Sequence, residues 1–136
     1  MTEDKRIRWG ILGTGGIANA FAGDLPLVED AELAAVGSRT AQAAEAFARR
    51  HGFARAHGSW AALATDPDVD VVYVATPHAF HLDAALACLA GGKAVLCEKP
   101  MTLDLASAAQ LVQEARARGL FLMEAMWMRC NPAVLR

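Results

Sequence analysis

The sequence predicts a doubly wound α/β domain built on a parallel sheet, a Rossmann arrangement in a single domain. Three observations carry that expectation. Short apolar runs alternate with stretches of helical period, most of those runs lack polar alternation, and a glycine-rich turn follows the first run directly. Strands covered by helices on both faces read this way, and right-handed crossovers then wind the sheet in both directions.

The elements follow in order along the chain. Ile7–Leu12 is the first strand, and Gly13 turns it into a helix that carries Ile17 and Phe21 on one face. Residues 33–36 form the second strand. Thr40 then caps a helix over Ala41–His51, whose last turn places Arg49, Arg50 and His51 at the negative end of the dipole before Gly52 stops it. A weaker strand lies near residues 54–57, and a stronger one covers 69–75. The helix over 78–90 buries Leu82, Leu86 and Leu89 and ends at Gly91-Gly92, ahead of a strand over 94–97. Thr102 precedes a helix over 103–118, with Asp104 in its first turn, and Gly119 stops it. Its apolar face is Leu105, Ala108, Leu111, Val112 and Ala115. Residues 121–123 form the last strand, and from Met126 the chain turns to Met, Trp and Arg followed by Asn131-Pro132. The expected division is a dinucleotide-binding domain over 1–125 and, from 126 to 136, the start of a connection.

Composition sets the outer bounds. The 136 residues carry 13 Lys+Arg against 15 Asp+Glu, and no basic block interrupts the net charge of −2, so attraction to a nucleic-acid backbone is not expected. Thirty alanines suit helices lying close on a sheet; no segment supplies the roughly 20 apolar residues that span a bilayer. The charged start from Met1 to Arg8 lacks a small-residue cleavage site, and a cytoplasmic protein is expected. Cys88, Cys97 and Cys130 are odd in number with no CxxC pairing, which predicts three reduced thiols, mostly buried.

The candidate chemistry lies at strand ends. Gly13-Thr14-Gly15-Gly16-Ile17-Ala18 follows the first strand and opens a helix, giving the spacing Gly13-x-Gly15-x-x-Ala18. Gly13 makes the tight turn, Gly15 lets backbone approach a pyrophosphate, Ala18 lets the helix lie close to the strand, and the helix start offers free N–H groups to phosphate. The plain alternative is a turn that needs glycine only for its backbone angles. The second strand ends in Gly37-Ser38-Arg39-Thr40, where an NAD enzyme would carry an Asp or Glu for the ribose hydroxyls. Arg39, helped by Ser38 and Thr40, suits a ribose 2′-phosphate instead, so NADP is favoured over NAD; the alternative is a solvated arginine beside a helix cap. The missing carboxylate also counts against a methyltransferase. Thr76, Pro77 and His81 follow a buried strand and read as nicotinamide-cleft residues, or as a helix start with proline at the first position. His78 and His81 lack a further ligand at suitable spacing, and no metal site is assigned. Glu98-Lys99-Pro100 ends the next strand; Lys99 there is placed to donate to a substrate oxygen, unless the charged pair is a surface salt bridge.

These residues resemble the Gfo/Idh/MocA oxidoreductases. The resemblance rests on the run from Arg8 to Ala18, on Asp66-Pro-Asp-Val-Asp-Val-Val-Tyr-Val-Ala-Thr-Pro77 with His81, on Glu98-Lys99-Pro100, and on Met123-Glu-Ala-Met-Trp-Met-Arg129. The last run is most similar to the branch of dihydrodiol and NADP-dependent aldose dehydrogenases. The resemblance implies a nicotinamide over the Glu98-Lys99-Pro100 loop, Lys99 as a catalytic residue, and Trp127 and Arg129 bordering the cofactor. It implies hydride transfer between NADP(H) and a sugar, polyol or vicinal diol. It also implies a second domain carrying the acid/base residue and most of the substrate pocket, so that these 136 residues alone would be a poor catalyst. An open sheet edge and the Met126, Trp127 and Met128 patch predict self-association. The rival reading is a nucleotide-sensing or partner-binding module without catalysis.

Overall fold

The computed structural model describes residues 6–135; the expectations for Met1 to Lys5 and for Arg136 lie outside the described residues. Strands β1 (Ile7–Leu12), β2 (Ala31–Gly37), β3 (Arg55–His57), β4 (Val71–Val74), β5 (Ala94–Glu98) and β6 (Leu122–Ala125) form one sheet. Their order is β3-β2-β1-β4-β5-β6, and every pairing is parallel. The chain runs outward from β1 to β3, then returns to pair β4 with β1, so the carboxyl ends of β1 and β4 flank the crevice where such sheets bind ligands.

Helices cover both faces. On one, α1 (Gly16–Asp24) and α2 (Ala41–His51) bury Ala18, Ala22, Ala44 and Phe47 against Ile11, Val36 and Tyr73. On the other, α3 (Trp60–Ala64), α4 (His81–Ala90) and α5 (Leu105–Arg118) bury Leu63, Ala84, Ala85, Leu89 and Leu111 against Leu12, Val72, Val74 and Val95. The many alanines act here, because a methyl group at the contact lets helix and sheet backbones approach. All four residues of β4 are buried, as expected of a central strand covered on both faces.

Several boundaries differ from the sequence reading for identifiable reasons. The expected strand over 69–75 shortens to Val71–Val74, because Asp66 to Asp70 form a polar turn in which Asp70 accepts from Arg8. The helix expected over 78–90 divides: a 3-10 turn covers His78–Phe80, and α4 begins only at His81. Its innermost residues are His81, Ala84, Ala85, Cys88 and Leu89, whereas Leu82 and Leu86 are half-buried. The last helix starts later than expected. Asp104 is its cap, accepting from the Ser107 N–H at 2.8 Å, and Thr102 instead donates to the Asp104 carbonyl. Leu105 is consequently 84% exposed and outside the buried face. In α1 the buried positions are Ala18 and Ala22, while Phe21 is half-buried and Ile17 exposed. Helix α3 was not expected; Ser59 caps it by accepting from the Ala62 N–H, but five residues give too little periodicity to read.

A polar knot closes the base of the sheet. Asp66, nearly buried, accepts from Arg55 at 2.8 and 3.2 Å and contacts His57 Nε2 at 2.8 Å. Burial alone would raise its pKa, but these bonds and the Asp68 N–H outweigh burial and hold the carboxyl well below the usual carboxylate range. Lys93, also buried, donates to the carbonyls of Asp66 and Val69. All three cysteines are free; Cys88 and Cys97 are buried, with burial pushing each thiol up to about 12, and Cys130 is exposed.

Candidate cofactor site

The glycine turn is built from two strand ends. Gly13 sits at φ +105°, and a Cβ there would lie 2.6 Å from the Ala75 carbonyl oxygen, so only glycine lets β1 turn this close to β4. Its N–H donates to the Gly37 carbonyl, which ties the turn to the end of β2. Gly15 is the N-cap of α1 and offers no side chain to the helix start. The first intrahelical bond runs from the Asn19 N–H to the Gly15 carbonyl, which leaves the N–H groups of Gly16, Ile17 and Ala18 without helical partners. Positions 15 and 16 face open space, with nothing within 4 Å of an added Cβ. These donors and the dipole make an anion seat.

A groove of about 420 Å³ runs from this seat. Gly13 to Ile17 line one side, Ser38, Arg39 and Trp60 line the β2 side, and Ala75, Thr76, Pro77 and His78 line the β4 side. The Thr76 hydroxyl oxygen is buried with no hydrogen-bond partner among the described residues, an unmet polar group beside the groove. Arg39 is exposed, while the Thr40 hydroxyl is engaged as the cap of α2, accepting from the Ala43 N–H at 3.3 Å. Trp60 stands edge-on to Phe80, ring centroids 5.6 Å apart. The sequence reading missed it, because a single tryptophan in an unrecognised short helix gives no spacing signal.

A second cleft of about 400 Å³ lies on the other side of α1. Its walls are mostly apolar and include Phe21, Tyr73, Leu96, Met123 and Trp127, with the Glu98 side chain among them. Ile17 lines both clefts, so the start of α1 adjoins each of them. Trp127 is 67% exposed, and Arg129 lies in the same exposed 3-10 turn, Trp127–Cys130.

Glu98 is fixed from two sides. Its Oε1 accepts from the Tyr73 hydroxyl at 3.0 Å, and its Oε2 accepts from the Lys99 backbone N–H at 2.8 Å. The carboxylate therefore holds the Lys99 main chain, and the exposed Lys99 ammonium forms no ion pair among the described residues. His81 lies behind the clefts. It is fully buried, with Nδ1 2.7 Å from the Pro100 carbonyl and Nε2 2.9 Å from the Thr76 carbonyl, so it joins the two loops through their backbones. Its ring lies 5.4 Å from that of His78, and no metal-ligating group of three or more His, Cys, Asp or Glu forms among the described residues.

The residues and the cradle fit a dinucleotide, and comparison with known proteins identifies the lineage. The model of the Gfo/Idh/MocA oxidoreductase family, NAD-binding Rossmann fold, matches residues 7–126. The chain belongs to that family. It is 48% identical over 130 residues to the trans-1,2-dihydrobenzene-1,2-diol dehydrogenase of Sus scrofa, a match that covers 94% of this chain and 39% of that enzyme. The Homo sapiens enzyme of the same name is 45% identical over 129 residues, again spanning 39% of its length. Among solved structures, a 3-ketoreductase from Actinomadura kijaniata in complex with NADP superposes with a TM-score of 0.89 at 36% identity, covering 94% of this chain and 41% of that one. An NAD binding oxidoreductase from Klebsiella pneumoniae gives 0.88 at 33% identity, covering 96% and 37%. The chain is thus a nucleotide-binding Rossmann domain of an oxidoreductase family, and it spans about two fifths of the length of these relatives. None of its described helices is long and apolar enough to cross a membrane.

Proposed function

We propose that this chain binds NADP(H) and serves hydride transfer to or from a CH–OH carbon of a sugar, polyol or vicinal diol. The observation that carries the reading is the anion seat at Gly13 to Ala18, flanked at the end of β2 by Arg39 with no carboxylate in the groove lining. The free N–H groups of Gly16, Ile17 and Ala18, with Thr14 and Gly15 close by, would take the pyrophosphate. Ser38 and Arg39 would take the 2′-phosphate, Thr40 acting through the helix it caps, and Trp60 offers a face to adenine. Thr76 and Pro77 would line the path toward the apolar cleft, with His81 acting through the Thr76 and Pro100 backbones. Ile17, Glu98, Trp127 and Arg129 would border the nicotinamide, which when bound supplies or accepts the hydride. Lys99, free of any ion pair among the described residues, would donate to the substrate oxygen and favour its ionised form.

The relatives named as dihydrodiol dehydrogenases and the NADP-bound 3-ketoreductase support the substrate class and the cofactor preference. Residues 1–125 are proposed as the binding domain and 126–136 as a connecting segment. The exposed Met126, Trp127 and Met128 suit self-association, and the three free thiols suit the cytoplasm. Titrating NADPH and NADH separately, by quenching of tryptophan fluorescence, tests the cofactor reading. NADPH is expected to bind more tightly, and Arg39→Ala to weaken NADPH by roughly 10- to 100-fold while leaving NADH unchanged, the worth of one charge-assisted contact. Equal affinity for the two coenzymes would remove the role given to Arg39.

A further inference from the structure

Asparagine is a poor residue for a helix interior, yet Asn19 stands in the first turns of α1. Its side-chain amide is fully used. Nδ2 donates to the Gly15 carbonyl at 2.9 Å and to the Thr14 carbonyl at 3.3 Å. Oδ1 lies 2.8 Å from His51 Nε2 and accepts from Arg50 at 3.2 Å. Two donors and two acceptor sites are all that a primary amide has, so the network fixes which way it points. An amide oxygen only accepts, so His51 Nε2 is the donor in this contact.

The two loop bonds have a geometric consequence. In a planar trans peptide the carbonyl and the following N–H point in opposite directions. Holding the Thr14 and Gly15 carbonyls toward Asn19 turns the N–H groups of Gly15 and Gly16 away from it, and a side chain added at either glycine would meet open space within 4 Å. A rotation of either peptide would replace a donor with a carbonyl oxygen and repel a phosphate.

We propose that Asn19 is a positioning residue for the dinucleotide loop, setting pyrophosphate affinity without touching the ligand; this rests on the NADP(H) reading above. The two donated bonds do the positioning, and the contacts to His51 and Arg50 tie the far end of the amide to α2 as a stabilising link between the helices.

The test compares two ligands and two variants, with thermal unfolding recorded for each. NADPH contains the pyrophosphate, whereas adenosine 2′-monophosphate lacks it. Asn19→Ala is expected to weaken NADPH by roughly tenfold, the worth of one to two neutral hydrogen bonds, and to leave adenosine 2′-monophosphate unchanged. His51→Ala, which cuts the shorter link to α2 but keeps both loop bonds, is expected to lower the unfolding midpoint while holding NADPH affinity within about twofold of the parent chain. Equal loss for both ligands in Asn19→Ala would mean general loosening and would overturn the proposal. So would an Asn19→Ala affinity for NADPH matching the parent chain, or a His51→Ala loss as large as that of Asn19→Ala. A parent chain that binds neither ligand overturns the NADP(H) reading and this inference with it. A parent chain that binds NADPH leaves that reading intact whichever way the variants fall.

Discussion

The Tyr73 hydroxyl donates to Glu98 Oε1 at 3.0 Å, and the Tyr73 ring stacks on Phe21 with centroids 4.0 Å apart. One side chain of β4 thus touches both α1, which carries the glycine turn, and the carboxylate that holds the Lys99 backbone. Burial, then the Glu98 charge, push the phenol up, so it stays protonated and donating at neutral pH. Tyr73→Phe keeps the stack and removes the bond. It is expected to lower the unfolding free energy by about 1–2 kcal/mol in urea with an unchanged m-value. An unmoved midpoint would show that the bond contributes nothing.

The two loop glycines should fail differently. Gly13→Ala drives a methyl group onto the Ala75 carbonyl oxygen at a positive φ, so both the thermal midpoint and NADPH binding are expected to fall. Gly15→Ala meets no protein atom within 4 Å, and its midpoint should hold while NADPH affinity drops. Calorimetry and fluorescence titration on the same samples separate the two. Equal losses of stability would contradict the assignment of open space at 15.

Lys99 separates binding from chemistry. In the protein assayed with NADP and a vicinal diol or an aldose, Lys99→Ala is expected to lower kcat by ~10²- to 10⁴-fold, the usual worth of a positioned proton donor or acceptor. Its NADPH Kd should remain close to that of the parent. Unchanged turnover ends the catalytic assignment.

Asp66 makes stability depend on acid. Its folded pKa lies below that of the unfolded chain, so its contribution is present above the unfolded value of about 4 and is lost as pH falls through the folded one. Asp66→Asn is expected to cost about 1–3 kcal/mol at pH 7, discounted because Arg55 is partly exposed, and to flatten the stability profile below about pH 4. Urea unfolding across an acid series measures both. A variant with the parent's slope would show that Asp66 does not set it.

The fold was legible because its signals were redundant. Buried strands wrote themselves as apolar runs, and Thr40 and Gly52 marked both ends of α2. Gly13 and Gly15 were readable because their spacing follows a strand. Trp60 and Tyr73 were not, since each acts through a contact between elements and has no fixed partner in sequence, and Asn19 was not, because its bonds to the Thr14 and Gly15 carbonyls depend on how the turn is wound rather than on a residue pattern. The start of the last helix was misplaced for a related reason: Asp104, read as part of the first turn, accepts from the Ser107 N–H and caps the helix instead. His81 stood in the right stretch of chain, but only the fold shows both its nitrogens turned to backbone carbonyls.

An all-parallel sheet also decides how the molecule assembles. Even neighbouring strands such as β4 and β5 pair residues as distant as Val71 and Ala94, and the central join brings Trp9 to Val71. No hairpin can seed the structure, so each ladder must wait for an intervening crossover to close its loop, and folding is expected on the slower, millisecond-to-second side. During synthesis, β1 has only one of its two neighbours until β4 leaves the ribosome, and the ligand crevice between β1 and β4 comes into being at that same step.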